Sequence, residues 1–423
     1  MGRFRYLAFR LPRLVNFTFG ITYNLKGKRV IMKRKNLLTP FGIASVLSCA
    51  VCTGAIAGQD QVSQQGPVTV LTIPSQQAQE GVKIDYVNAK PMELPIAPSD
   101  LATQAQDDLI SALSSQSFPS EAGGYSPGGK GDGKTSLVKL GVPAASDANS
   151  GDVASEEFGT TNHPFSTARA DLYTGTTNTI YPYRASGKLF FNKGTSTFVC
   201  SASLIKKGIV VTAAHCVANF GKNKFYSNWR FVPGYRNGVA PFGSWTVKQA
   251  RVLTAYLNGT DPCVVSGIVC RDDVAVLALT AQSGVHVGNR TGWYGYGWNG
   301  YGFTGNGLTQ ITQIGYPVCL DNGGFMERND SQGFKSASNS NNTVIGSLMC
   351  GGSSGGPWLV NFGRRPALTG TSAGTASIPN IVVGVASWGY VSNAPKEMGA
   401  SPFLTGNIAT LVNAQCASTP GNC

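Results

Sequence analysis

The run Cys350-Gly351-Gly352-Ser353-Ser354-Gly355-Gly356-Pro357, continued by Trp358-Leu359-Val360, decides how the rest of the chain is read. Glycines on both sides of a serine let the backbone approach a bound molecule closely and adopt dihedrals closed to other residues. The backbone N–H groups of Gly352 and Ser354 can then converge on a developing oxyanion, an interaction worth about 3–4 kcal/mol per donor. A Gly/Ser run can also be a flexible linker, but linkers rarely end in Gly-Gly-Pro-Trp and enter an apolar strand. Ser354 is the candidate nucleophile, with Gly352 and Ser354 as candidate oxyanion donors.

A serine nucleophile needs a base, and the chain has only His163, His215 and His286. Thr212-Ala213-Ala214-His215-Cys216 follows the β-prone Ile209-Val210-Val211, so His215 stands at a strand end. A neutral imidazole is the natural general base near pH 7; alone, such a residue is equally a polar histidine in a turn. The base in turn needs an orienting acid. Arg271-Asp272-Asp273 opens the apolar run Val274-Ala275-Val276-Leu277-Ala278-Leu279, and a carboxylate fixed at a strand start can hold an imidazole in one tautomer. Taken in isolation it reads as an ordinary turn carboxylate.

The 423 residues allow two to three domain-sized units. The 53 glycines make up about one residue in eight, well above the roughly 7% of average proteins. The net charge of +13 is an average over three unlike pieces: residues 1–57 carry +10 with no acid, 58–171 carry −8, and 172–423 carry +11. Net charge therefore gives little support to a nucleic-acid partner. No apolar stretch beyond residue 57 is long enough to span a bilayer.

The first piece reads as a targeting segment. Lys33-Arg34-Lys35 follows Met32, residues 37–52 are largely apolar, and Ala55-Ile56-Ala57 gives a small-x-small cleavage site. Residues 32–57 are thus a secretory signal, with Gly58 first after cleavage, and residues 1–31 are an upstream mis-called or extended N-terminus. Lipidation at Cys49 is the alternative, but the bulky Leu47 fits a lipoprotein box poorly. Export leaves eight cysteines, Cys200, Cys216, Cys263, Cys270, Cys319, Cys350, Cys416 and Cys423, an even number that implies disulfides. Eight cysteines allow 105 connectivities.

Residues 58–171 are acidic, free of cysteine, and rich in Gln, Ser, Ala, Pro and Gly. Leu101, Ala105, Leu109 and Leu113 recur at a helical period, which predicts a helix over 100–114 capped by Ser99 or Asp100. The five glycines of 123–132 read as linker. From about Tyr181 short β-prone runs follow at Lys188–Phe191, Ser203–Thr212, Trp245–Leu253, Val274–Leu279, Thr309–Tyr316 and Ile381–Trp388. Short strands between Gly/Asn turns, with no βαβ alternation, predict an all-β sandwich or barrel.

The ordered set His215, Asp273, Ser354 resembles that of the chymotrypsin-like (trypsin-fold) serine endopeptidases. Ala213–Cys216, Asp273–Leu277 and Gly352–Pro357 match three of the family's blocks. Cys200–Ile205 is similar to the strand joined by disulfide to the cysteine after the histidine. Ser387-Trp388-Gly389 resembles the substrate-binding strand, and Thr291-Gly292-Trp293 the opening of the second barrel. The resemblance spans about 181–415. It implies two packed antiparallel six-stranded β-barrels, about 181–290 and 291–415, with a short C-terminal helix and a largely irregular pro-region before them. The domains expected are then a pro-region over 58–178 and a protease domain over 179–423. It implies a Ser-His-Asp triad that hydrolyses peptide bonds through an acyl-enzyme, with Asp273 favoured over Asp272 and Asp261 by register.

This sequence departs from the family in ways that carry meaning. Ser353 stands where the animal digestive enzymes have an Asp that pairs with a new N-terminal ammonium, and no Ile-Val-Gly-Gly-like start precedes Tyr181. Activation through that salt bridge is not expected, and the pattern is closer to secreted bacterial members. Gly315-Tyr316-Pro317 is shared with the glutamyl endopeptidase branch, yet Ala386 replaces that branch's specificity histidine, so glutamate specificity is not expected. Leu348, six residues before Ser354, replaces trypsin's Asp, which disfavours Arg/Lys and suits a medium or large apolar side chain. Leu348, Ser387, Trp388 and Gly389 are the candidate substrate-binding residues.

The resemblance and the short separation both pair Cys200 with Cys216; Cys263–Cys270 would close a small loop, Cys416–Cys423 would tie the tail, and Cys319–Cys350 is left. No Cys-x-x-Cys survives signal removal, so no metal and no cofactor are expected. The Gly/aromatic run 292–303 reads as a glycine-rich strand and turn rather than a stacking platform, and Lys206-Lys207 and Arg364-Arg365 as solvated turns. The whole reading is a secreted or periplasmic monomeric proenzyme acting on proteins or peptides. Its acidic pro-region is its own partner in cis, nucleic acid is not a partner, and the membrane is met only during export. The alternatives are a catalytically dead adhesin or binding protein on a protease fold, and an envelope-anchored lipoprotein protease. A periplasmic quality-control enzyme would bring a C-terminal peptide-binding module.

Overall fold

Short runs such as Leu189-Phe190-Phe191 and Ile209-Val210-Val211 are rich in aromatic or β-branched residues and buried throughout, which suits strands covered on both faces better than helices. In the computed structural model of the chain the described residues are 60–74, 83–114, 123–143, 157–158, 164–171, 175–363, 377–390 and 396–423. The expected signal over 32–57, residues 1–31, His163 and Arg364-Arg365 lie outside them.

Before the barrels come β1 (Gln61–Gln65), β2 (Val68–Thr72), β3 (Lys90–Pro91), β4 (Ile96–Ala97), α1 (Asp100–Ser114), β5 (Gly124–Ser126), β6 (Val138–Lys139), β7 (Glu157–Phe158) and β8 (Pro164–Arg169). The first barrel is built from β9 (Ser186–Lys193), β10 (Ser196–Lys206), β11 (Ile209–Thr212), β14 (Ser227–Pro233), β16 (Trp245–Leu253) and β17 (Ala275–Leu279). Around these lie a small hairpin, β12 (Ala218–Asn219) with β13 (Lys224–Phe225), an outlying β15 (Val239–Ala240), and the one-turn helix α2 (Thr254–Asn258). After the short α3 (Val287–Thr291) and β18 (Gly295–Trp298), the second barrel uses β19 (Leu308–Gly315), β20 (Glu327–Lys335), β21 (Thr343–Gly346), β22 (Pro357–Val360), β23 (Ile381–Tyr390) and β24 (Glu397–Pro402). Helix α4 (Thr410–Ser418) follows.

Both sheets close on six strands. The order β14-β9-β10-β11-β17-β16 returns to β14, and β19-β22-β23-β24-β21-β20 returns to β19. Closure removes the free edges that strands otherwise expose. In the first barrel Cys200 lies opposite Leu189 and Val211 opposite Val276. Its interior is filled by side chains such as Phe191, Trp229, Phe231 and Trp245, none of them exposed.

Two local expectations change. Ser203–Thr212 is a hairpin rather than one strand, turning at Lys207-Gly208, because Lys206 pairs with Ile209. The glycine-rich 123–132 is not a free linker: β5 pairs with β18, and Gly129 bridges Trp293. A Cβ on Gly128 would lie 2.5 Å from the Trp293 carbonyl, so the glycines here permit close backbone contact. The helix over 100–114 forms as the period predicts, burying Leu101, Ala105 and Leu109.

The Cys200–Cys216 disulfide ties β10 to the turn after β11, across a sequence separation of 16. Closing a loop of that length stabilises by about 3 kcal/mol. The paired Cys200→Ala, Cys216→Ala variant is expected to lose that much in urea unfolding; a loss under about 1 kcal/mol would show that the bond does not brace this turn.

Candidate active site

His215 follows Ala213, which is still extended, and sits in a single 3₁₀ turn, Ala214–Cys216, at the end of β11. Asp273 sits just before β17, which pairs with β11 so that Thr212 faces Ala275. The pairing of two adjacent strands therefore carries His215 and Asp273 to the same end of the first barrel. Asp273 Oδ1 accepts the His215 backbone N–H at 2.8 Å, and Oδ2 lies 2.8 Å from His215 Nδ1. A carboxylate only accepts, so Nδ1 carries the proton and Nε2 is the basic nitrogen.

Asp273 Oδ2 also accepts Ser387 Oγ–H at 2.6 Å, a bond that comes from β23 in the second barrel. Neither motif spacing nor periodicity reveals this third donor; only the folded barrels bring position 387 to position 273. Asp272 points elsewhere: Oδ1 accepts from Asn407 Nδ2 at 3.3 Å, Oδ2 is 3.4 Å from Arg271, and its own N–H goes to Asp261 Oδ2 at 2.9 Å. Asp261 is not in contact with His215 in these bonds. Burial, then the charges of Asp272 and Asp273, push its carboxyl up to about 8.

Ser354 lies between two left-handed glycines, Gly352 at φ +94° and Gly355 at φ +77°. A Cβ on Gly355 would fall 1.9 Å from Thr212 Oγ1, so only glycine lets this loop touch the first barrel. Ser354 O accepts Ser201 N–H at 2.8 Å and lies 3.8 Å from Cys216 Sγ. Those contacts place the Ser354 loop beside the residue that follows His215. Ser354 Oγ and His215 Nε2 are both buried and have no hydrogen-bond partner among the described residues. Ser353 is satisfied inside its own loop, with Oγ–H and N–H both on Cys350 O at 2.6 and 3.0 Å.

Leu348 and Gly389 line a cleft of about 900 Å³ together with His215, Met349, Gly351 and Met398. Ser387 and Trp388 turn their side chains away from it: Ser387 to Asp273, and Trp388 to Asn342 Oδ1 at 2.6 Å. Four disulfides join Cys200–Cys216, Cys263–Cys270, Cys319–Cys350 and Cys416–Cys423. The sulfurs beside His215 and Asp261 are thereby engaged and supply no thiolate to a metal. No helix among the described residues is long and apolar enough to cross a membrane.

The family model described as Trypsin matches residues 173–403, more than half of the chain. The chain belongs to the trypsin family. It is a serine endopeptidase, a hydrolase acting on peptide bonds. No curated protein matches it. Among solved structures it is similar to the protease Anisep of Arthrobacter nicotinovorans, with 28% identity, a TM-score of 0.44, and coverage of 55% of this chain and 96% of that one. It is also similar to the thermostable serine protease AL20 of an extremophilic microorganism, at 23% identity and TM-score 0.43, covering 56% and 98% of the two chains. A Glu endopeptidase in complex with MPD shares 19% identity at TM-score 0.42, covering 59% and 96%.

Two measurements bear on this site of the protease. Ser387→Ala removes one charge-assisted donor to Asp273 and is expected to lower kcat by about tenfold with a smaller change in KM; an unchanged kcat would mean that the bond does not position the acid. The second concerns Asp261. Above its ordinary value near 4 the unfolded carboxyl is ionised, whereas the folded one keeps its proton up to about 8. The folded state then binds more protons, so this group's contribution to stability is full below about 4 and is lost as pH rises to about 8. Asp261→Asn should flatten that decline in unfolding curves; an unaltered slope would count against a buried, protonated Asp261.

Proposed function

We propose that the protease works through His215, Asp273 and Ser354 and is exported as a proenzyme. The observation that carries this reading is the Asp273 carboxylate bound to both N–H groups of His215, which leaves Nε2 basic, while Ser354 O lies 3.8 Å from the sulfur of the next residue, Cys216. His215 takes the proton of Ser354, whose Oγ attacks the scissile carbonyl. The Gly352 and Ser354 amides receive the oxyanion, and His215 returns the proton to the departing amine. The ester carbon is then attacked by water activated at the same imidazole, and Ser354 is restored.

The substrates are proteins or peptides, with a medium or large apolar side chain before the cut bond. Leu348, Met349 and Met398 in the cleft wall support that preference; the Glu397 carboxyl also lines the cleft, but burial pushes it up to about 8, which disfavours its charged form. Residues 32–57 act as the export signal, 58–178 as the pro-region, and 179–423 as the protease domain with barrels over about 181–290 and 291–415; the product is a secreted or periplasmic monomer. Eight cysteines all paired as disulfides support an oxidising destination. The local satisfaction of Ser353 supports activation without a new N-terminal ammonium.

Labelling by an organofluorophosphonate tests the nucleophile. The mature protein should label at Ser354, and Ser354→Ala should not, with turnover of a peptide library down about a millionfold. A mature protein that neither labels nor cleaves would favour the dead-site adhesin. N-terminal sequencing of the same sample reads the processing site, and mass spectrometry of that N-terminus separates a soluble form from one lipidated at Cys49.

A further inference from the structure

Residues 90–97 cross the cleft as an extended strap. On one side β3 runs parallel to β10, with Lys90 beside Phe198 and Pro91 beside Val199, and Met92 N–H donates to Val199 O at 2.8 Å. At the centre Met92 O accepts the Gly352 N–H at 3.2 Å, so one of the two oxyanion donors is taken by the chain's own carbonyl. On the far side Gly389 N–H donates to Pro95 O at 2.9 Å, and β4 runs parallel to β23, with Ile96 beside Gly389 and Ala97 beside Tyr390. The Leu94 side chain is seated on Gly389, where a Cβ would come within 2.6 Å of its Cδ2. Pro91 and Pro95 restrict the strap to extended backbone.

The strap is anchored beyond the cleft. Leu101, Ala105 and Leu109 of α1 pack in one buried cluster with Val269, Phe334, Val344 and Trp388. Asp108 accepts from Ser336 Oγ at 2.7 Å and from Ser338 N–H at 2.9 Å.

We propose that residues 90–97 are an intramolecular inhibitor of the protease, laid across the cleft in a direction that Ser354 cannot turn over. The proposal rests on Ser354 and His215 being the nucleophile and base. Attack on the Met92 carbonyl would form the Oγ–C bond and make the Glu93 nitrogen the leaving group. That C–N bond breaks only if the nitrogen receives the proton that His215 took from Ser354. His215 belongs to the first barrel, on the side where β10 holds the residues before Met92. The chain after Glu93 runs instead to β23 of the second barrel, which carries the nitrogen away from the imidazole. The tetrahedral adduct then has no protonated amine to expel and reverts, and the cleft stays blocked by an uncut peptide.

The test uses the whole precursor, the same chain with Leu94→Asp and Ala97→Asp, and both again on a Ser354→Ala background. Unseating the strap should raise fluorophosphonate labelling of Ser354 by about tenfold or more. On the Ser354→Ala background, hydrogen exchange at the Gly352 and Gly389 amides should be slow in the precursor and faster in the variant. Slow exchange with no labelling of precursor, variant or mature enzyme would keep the strap and reject the nucleophile. Equal labelling and equal exchange in precursor and variant would reject the strap. Because two carboxylates in the cleft can impair folding, a synthetic peptide of residues 88–114 added to mature enzyme gives a second measure. Inhibition with the peptide intact supports the proposal; no inhibition, or cleavage between Met92 and Glu93, overturns it.

Discussion

The Asp273 carboxylate fixes how the two barrels meet. It is only 2% exposed, and a charge that deep is costly unless donors surround it. On the first-barrel side the donors are the two N–H groups of His215 and the hydroxyl of the buried Tyr256, and on the second-barrel side the hydroxyl of Ser387. Both barrels thus supply donors to one charge, so the carboxylate orients the imidazole and ties the two barrels together. Crowding by other carboxylates is relieved in two ways. Asp272 spreads its charge onto Asn407 and Arg271, and burial with the acidic neighbours pushes the Asp261 carboxyl up, which disfavours its charged form.

The second constraint is the space beside Ser354. The loop meets the first barrel through backbone alone, with Ser201 N–H on Ser354 O and Ser201 Oγ–H on Gly352 O. Gly355 N–H turns the other way, to Ala386 O in β23. The serine is thus held from both barrels at once, and any side chain at 355 would push them apart. Cys319–Cys350 fixes the start of the same loop, while Cys200–Cys216 fixes the facing turn of His215. Two covalent ties on opposite walls leave the glycine backbone between them free to adopt its left-handed dihedrals without loss of position.

What the sequence makes legible follows the range of the interaction. α1 is visible because Leu101, Ala105 and Leu109 share a face at a spacing set by the helix itself. The strands carrying His215 and Asp273 are visible because β-branched runs announce buried strands locally. The 123–132 segment misleads because its pairing with Trp293 and β18 is made at a distance of more than 150 residues in sequence, and glycine composition is the same for a linker and for a close backbone contact. Ser387 is read from its motif as lining the cleft, yet its hydroxyl serves Asp273, a role that exists only once β23 stands beside β17. The strap is invisible for the same reason: Pro91-Met92-Glu93-Leu94-Pro95 has no period, and each of its flanking strands is two residues long.

The acidic segment ahead of the barrels invites an electrostatic account, since −8 faces +11. Its described contacts are mostly of another kind. β2 adds to the first barrel at β16, β3 and β4 pair across the cleft, β5 adds to β18, and β6 pairs with β15. Backbone pairing and an apolar helix are far less sensitive to salt than surface charge is. The arrangement also bears on release. The strap has β1 and β2 as an anchor on its N-terminal side and α1, β5 and β6 on its C-terminal side. A single cut on either side leaves it tethered to the enzyme by the remaining anchor, where its effective concentration stays high. Inhibition of this form outlasts one nick. In the proposed inhibitor, severing both sides weakens inhibition to that of a free peptide, and digestion of the strap by a protease that meets it outside the cleft ends it.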